Sequence, residues 1–221
     1  MLRRPKMFRR APKEGLPPVL MFDFDGVVAD SLEIFYAEFS AALISLGFEK
    51  LSNKESLLAL FDGNVFKSLI KLGFPMRKLK ALSGEFGPRI EKANQQVQPF
   101  EGMPELLSEL AAAFPLYVIT SNHSSAIEHF LKKYKITGVR EVLGADKEAS
   151  KVKKIRRVKK LHPDLSPWYM GDTKGDMLEG NEAGAITVAI AWGWHDEERL
   201  RTGDPRHVVR TPAELRALFM E

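Results

Sequence analysis

The chain has no cysteine among its 221 residues. That removes disulfide frameworks and thiolate metal sites, and it suits a reducing compartment. No apolar run approaches the ~18 residues that a membrane span needs. His123, His129, His162, His195 and His207 show no metal-ligand spacing, so each is expected to be a surface or packing residue. A charge of one sign is also missing from the body of the chain. The net charge is +4, yet residues 1–14 hold six basic residues (Arg3, Arg4, Lys6, Arg9, Arg10, Lys13) against Glu14. The remainder carries 27 basic and 28 acidic residues and is close to neutral. Residues 1–16 are therefore expected to form a basic, solvated arm without regular structure. The arm lacks the apolar middle of a secretory signal and the serine of an organellar presequence, which makes a cytoplasmic location the expectation.

What is present is organised around Val19-Leu20-Met21-Phe22-Asp23-Phe24-Asp25-Gly26. An unbroken apolar run bounded by turn signals predicts a buried strand of a parallel sheet, with Asp23 at its carboxyl end. Open α/β sheets place their ligands at that edge. Two carboxylates one residue apart do not belong in a core, because burying unpaired charge is expensive. Helical periodicity then runs from Ser31 to Gly47. Ser52-Asn53-Lys54-Glu55 has capping-box spacing, and further helices are expected over Val65 to Leu72, Met76 to Leu82 and Glu85 to Val97. No strand interrupts residues 32–97, which predicts an all-helical insertion in an α/β core formed by residues 17–31 and 98–221. From Pro99 onward strands and helices alternate. Strands are expected at Leu116 to Ile119, Glu141 to Gly144, Trp168 to Met170, Ile186 to Ala191 and His207 to Val209. Alternation of this kind predicts a doubly wound, Rossmann-like parallel sheet with right-handed crossovers.

Three apolar runs end in polar residues: Asp23 and Asp25, Thr120-Ser121-Asn122, and Asp172 with Asp176. In a parallel sheet these ends share one edge, so the residues converge. Four carboxylates in one crevice cannot all stay ionised without a cation, and all-oxygen ligation from few carboxylates points to Mg²⁺. The hydroxyls and turn amides of Thr120, Ser121 and Asn122 suit phosphate oxygens, and a lysine would balance the remaining charge.

These stretches, in this order, resemble the four motifs of the haloacid dehalogenase superfamily. They are Asp-Phe-Asp-Gly-Val, the apolar run into Thr120, a lysine opening a helix, and Gly-Asp-Thr-Lys-Gly-Asp. The resemblance extends from about Val19 to the C-terminus and is nearest to the phosphoglycolate-phosphatase-like branch. It implies a Rossmann-like core with a helical cap and phosphoryl transfer through an aspartyl-phosphate. By motif position Asp23 is the nucleophile, Asp25 the acid/base and Thr120 the phosphate binder. Mg²⁺ would be held by Asp23, Asp172 and the Asp25 carbonyl, with Asp176 a ligand or a water-mediated support. Dehalogenases of the superfamily lack the second aspartate of the first motif, so Asp25 argues for phosphate chemistry. The lysine is assigned to Lys151, at the Ser150-Lys151 helix start, with Lys147 as the alternative. Two departures stand out: Val152 where phosphoglycolate phosphatases typically have proline after the lysine, and Val27 where many phosphatases have threonine.

The expected activity is hydrolysis of a small phosphorylated metabolite by a monomer or homodimer. A phosphomutase or phosphonate hydrolase on the same scaffold is the rival within enzymes, and a non-catalytic binding protein the rival outside them. The basic helix Lys151 to Leu161 has a narrow apolar seam at Val152, Ile155 and Val158, so its charges are expected on a solvated face. It lacks the aromatic interleaving of a nucleic-acid binder. In the insertion, Lys54, Lys67, Lys71, Arg77 and Lys78 are candidates to meet an anionic substrate, while Phe61, Phe66 and Phe74 are expected in its core. The tryptophans of Trp192-Gly193-Trp194-His195 are expected to pack.

Overall fold

The computed structural model of the protein describes residues 15–63 and 65–220, the side chain of Phe66 apart. The expectations for the basic arm at residues 1–14 and for the Phe66 ring lie outside the described residues.

The chain opens with strand β1 (Pro18–Phe22), turns at Gly26 and forms the two-residue strand β2 (Ala29–Asp30). Four helices follow: α1 (Leu32–Ser45), α2 (Lys54–Leu60), α3 (Val65–Lys71) and α4 (Leu79–Ala93). Strand β3 (Gln98–Pro99) pairs antiparallel with β2, so a two-rung ribbon closes the neck where the helical block leaves and rejoins the core. The remaining elements alternate: α5 (Met103–Ala113), β4 (Leu116–Ile119), α6 (Ser124–Lys133), β5 (Glu141–Leu143), α7 (Lys151–Leu161) and β6 (Ser166–Gly171). They continue with α8 (Lys174–Ala183), β7 (Ile186–Ile190), α9 (Glu197–Arg201), β8 (His207–Val209) and α10 (Pro212–Met220).

Six strands form one parallel sheet in the order β5-β4-β1-β6-β7-β8. The chain winds outward from β1 to β5, returns to β6 beside β1, and winds outward again. The crevice at such a reversal is where open sheets bind ligands. Both sheet faces are covered, and β1 shows how. Leu20 and Phe22 join the cluster beneath α5, α6 and α10, whereas Val19 and Met21 join the cluster beneath α7, and all four are fully buried. Alternate residues of a strand face opposite sides, so a two-sided sheet needs an unbroken apolar run. The helical block has its own core of Phe39, Leu43, Leu57, Leu60, Leu69, Phe74 and Leu82.

Three local expectations are corrected. Residues 79–93 form one helix where two pieces were expected, despite Gly84, Gly87 and Pro88. The Phe86 ring packs 4.9 Å from Phe35 and 5.3 Å from Phe39, and this packing outweighs the weak propensity of the segment. The cap of α2 is Asn53, which accepts from the Ser56 N–H at 2.8 Å, while Ser52 donates to the Glu49 carbonyl. The ribbon β2–β3 was not expected at all; two residues per strand are too few for a periodicity.

Candidate active site

Asp23 begins where the ladder of β1 ends. Its N–H still donates to the Met170 carbonyl at 2.9 Å, and its Oδ1 accepts from the Phe24 N–H at 2.8 Å. The chain then turns through Gly26 at φ +71°, a left-handed conformation that glycine adopts without penalty. A Cβ there would lie 1.8 Å from Asp172 Oδ2. Asp172 directly follows β6 and its Oδ2 accepts from the Trp194 N–H at 2.8 Å, so the loop after β7 closes over it. Asp176 is held from four sides. Its Oδ1 accepts from Lys151 Nζ at 2.7 Å and the Tyr169 hydroxyl at 2.9 Å, and its Oδ2 from the Thr173 N–H at 3.1 Å and Thr173 hydroxyl at 2.6 Å. The Asp176 N–H donates back to Thr173 Oγ1, completing a capping box that starts α8.

The structure therefore gathers Asp23, Asp172 and Asp176, each buried, with one oxygen of each within 4.8 Å of the others. Lys151, the first residue of α7, reaches into the cluster, and its Nζ lies 2.5 Å from Asp23 Oδ2. Lys147 is turned away and donates to Glu141 and to the Val142 carbonyl. Asp25 stands apart from the three, with its Oδ2 accepting from the Asn122 amide at 2.7 Å. Thr120 is fully buried at the end of β4 and its Oγ1 accepts from the Asn122 N–H, whereas Ser121 is exposed beside it.

Three carboxylates share one ammonium, and their proton affinities follow. Burial, reinforced by Asp176 and Asp25 and opposed by Lys151, pushes Asp23 up to about 8. Burial and the charges of Asp176 and Asp23 push Asp172 well above the ordinary carboxylate range. Asp176 is buried too, yet Lys151, Thr173 and Tyr169 together hold it below that range. Burial also raises Asp25, against the opposing pull of Lys151 and Asn122. This surplus of negative charge on hard oxygen donors is what a divalent cation would relieve, so the triad can hold a metal.

Residues the sequence did not single out complete the site. Tyr169 was read only as strand, though its period-2 position places it beneath α7 and α8. Lys154 was assigned to a solvated face but is 1% exposed, and its Nζ donates to the Thr120 carbonyl at 2.7 Å. Its spacing of three from Lys151 was the available signal, since helical residues three apart share a face. His195, expected as a surface or packing residue, is buried and joins the two parts of the molecule. Its Nδ1 accepts from the Lys174 N–H at 3.0 Å, so its Nε2–H donates to the Leu58 carbonyl of α2 at 2.9 Å. Beside it the Gly175 N–H donates to the Phe61 carbonyl at 2.9 Å, and Arg199 Nε donates to Asp62 at 2.7 Å. The Trp194 ring packs 4.9 Å from Phe35 and 4.8 Å from Phe61, as expected of a packing residue. The helical block is thus seated on the rim of the crevice. Two of its candidate lysines are committed elsewhere: Lys54 pairs with Glu33, and Lys78 caps the Leu46 carbonyl over the Phe48 ring.

Comparison with known proteins gives the same picture. The family model for haloacid dehalogenase-like hydrolases matches residues 20–190. A phosphoglycolate phosphatase of Synechococcus elongatus is 24% identical over 206 residues, covering 89% of this chain and 94% of that protein. A 5'-nucleotidase of Pseudomonas aeruginosa is 23% identical over 215 residues, covering 91% and 95%. The solved structure of a haloacid dehalogenase-like hydrolase from Streptococcus pneumoniae superposes with a TM-score of 0.79 at 24% identity, covering 92% of this chain and 99% of that one. Among the described residues no helix is long and apolar enough to cross a membrane. The chain belongs to the haloacid dehalogenase-like hydrolase family.

Proposed function

We propose that this hydrolase is a Mg²⁺-dependent phosphatase acting on a small-molecule phosphomonoester through an aspartyl-phosphate on Asp23. The observation that carries the proposal is the division of labour between the two aspartates of β1's end. Asp23 lies 2.5 Å from the Lys151 ammonium, and Asp25 lies outside the carboxylate cluster against Asn122. This arrangement supports Asp23 as the nucleophile and Asp25 as the proton carrier.

The residues divide the chemistry as follows. Thr120, Ser121 and Asn122 hold the phosphate oxygens, and Lys151 offsets their charge, which lets a carboxylate approach phosphorus in line. Asp23 forms a bond to phosphorus as the ester P–O bond breaks, and Asp25 gives its proton to the departing alkoxide. Burial raises Asp25, which suits it to carry that proton. Asp25 then takes a proton from water as the water oxygen bonds to phosphorus and the bond to Asp23 breaks, releasing inorganic phosphate. Mg²⁺ would be held by Asp23, Asp172 and the Asp25 carbonyl, and bound there it supplies neutralisation of phosphate charge. The four hydrogen bonds that Asp176 already accepts favour a supporting role, with Lys151 as its main charge.

Residues 32–97 are then the cap over a core of residues 17–31 and 98–221, tied down by His195, Arg199 and Gly175. The two named phosphatases above act on different esters at almost equal likeness, so the proposal stops at the class of substrate. The absence of cysteine suits the cytoplasm, where we place the reaction. A screen of small phosphate esters with and without Mg²⁺ tests the proposal. Hydrolysis that appears only with the cation is expected, and unchanged hydrolysis after thorough chelation would overturn it.

A further inference from the structure

Helix α7 delivers two lysines to the crevice, and the proposed chemistry uses only one. Lys154 sits one turn beyond Lys151 and is 1% exposed. Among the described residues it makes no ion pair. Its sole acceptor there is the Thr120 carbonyl, at 2.7 Å. Burying an ammonium on a single neutral acceptor is costly, and an apolar side chain of similar length would fill the same space. Burial accordingly pulls Lys154 down to about 8, with the Lys151 charge adding to the effect. A residue that only tied α7 to β4 would not need the charge.

The acceptor explains its use. The Thr120 carbonyl and the Ser121 N–H belong to one peptide group, so a cation on the oxygen draws density from the nitrogen and strengthens the N–H as a donor. Among the described residues that N–H donates to no acceptor, and Ser121 is exposed at the crevice. The same carbonyl bond fixes the end of β4, where Thr120 Oγ1 receives the Asn122 N–H and Asn122 in turn reaches Asp25.

We propose that Lys154 is a positioning residue for phosphate, holding the end of β4 through the Thr120 carbonyl and polarising the Thr120–Ser121 peptide so that the Ser121 N–H becomes a stronger anion donor. The proposal rests on the assignment of Thr120 to Asn122 as the phosphate-binding strand end. It adds to that assignment a buried charge that never touches the substrate.

The test compares the wild-type protein with Lys154→Met and, in case methionine perturbs folding, Lys154→Gln. The Ser121 amide proton resonance, followed in the protein without phosphate, is expected to move upfield in both variants. With Mg²⁺ present, the dissociation constant for inorganic phosphate is expected to rise about tenfold, the scale of one charge-assisted hydrogen bond. Mg²⁺ affinity without phosphate stays unchanged. A purely structural lysine gives the opposite pattern, with phosphate affinity and the Ser121 amide unmoved, and that result overturns the proposal. If the wild-type protein binds no phosphate, the functional assignment fails on its own. The Ser121 resonance then still decides whether Lys154 polarises the peptide.

Discussion

Replacing Lys151 by methionine removes the one ammonium that, among the described residues, touches the carboxylate cluster, and the consequences can be worked out from the geometry. The side chain is 14% exposed, with Nζ 2.5 Å from Asp23 and 2.7 Å from Asp176. Removing one partner of a buried ion pair costs about 3–5 kcal/mol. Protons offset part of that loss here. Asp23 and Asp172 already have folded proton affinities raised above their unfolded values, Asp23 to about 8. Groups shifted in that direction favour the folded chain at acid pH, and the contribution is lost as pH rises through the folded value. Without Lys151 the cluster takes up still more protons, so the deficit of the variant is largest at alkaline pH and shrinks on acidification. At pH 8 in chelator the expected loss is about 2–3 kcal/mol, and at pH 5.5 less than half of it. For a chain of this size the pH 8 loss lowers the thermal midpoint by roughly 5–10 °C. Added Mg²⁺ should raise the midpoint of the variant by more than that of the wild type, because the cation then meets three carboxylates with no competing ammonium. Thermal unfolding at the two pH values, with and without Mg²⁺, measures all of this. Equal midpoints at pH 8, or a deficit independent of pH, would refute the reasoning.

Other outcomes follow from the same geometry. Asp25→Asn should slow turnover by about 10²–10⁴-fold, as expected for loss of a general acid–base, while Mg²⁺ affinity measured by titration largely persists because the backbone carbonyl is kept. Gly26→Ala would set a methyl 1.8 Å from Asp172 Oδ2 in a left-handed backbone conformation. It should cost at least about 2 kcal/mol by chemical denaturation and abolish stabilisation by Mg²⁺. Deleting residues 1–14 should leave kcat/KM for a small aryl phosphate unchanged, since the arm precedes β1 and carries none of the site residues; loss of turnover in a folded truncation would show otherwise.

Much of this architecture was legible because two-sided burial leaves a strong mark. Val19 to Phe22, Leu116 to Ile119 and Trp168 to Met170 are uninterrupted apolar runs, as strands covered on both faces must be, and the polar residues that follow them converge at one edge. Asp23, Asp172 and Asp176 were legible for that reason, Lys151 through the family resemblance with Lys147 as its alternative, and the structure brings these three carboxylates and Lys151 together. What stayed hidden depends on contacts distant in sequence. In Lys151-Val152-Lys153-Lys154 only the spacing of three from Lys151 separates the buried Lys154 from the exposed Lys153, and the acceptor that holds it, the strand end under α7, has no mark in sequence. His195 takes its role from the Leu58 carbonyl, 137 residues earlier, and a carbonyl carries no signature in sequence. The continuity of α4 across Pro88 likewise comes from Phe86 meeting Phe35 and Phe39 on another helix.

The central claim is that phosphate passes through Asp23, and trapping the intermediate tests it most directly. In Asp25→Asn, supplied with Mg²⁺ and an aryl phosphate whose leaving group needs little protonation, the first step should outrun the second. One phosphoryl group per chain should accumulate, labile to hydroxylamine as an acyl phosphate is, and map by rapid quench and peptide mass to the segment holding Asp23. The same label should be absent from Asp23→Asn, which should also lack turnover. A phosphoryl group on another residue, or hydrolysis by folded Asp23→Asn, would contradict the account.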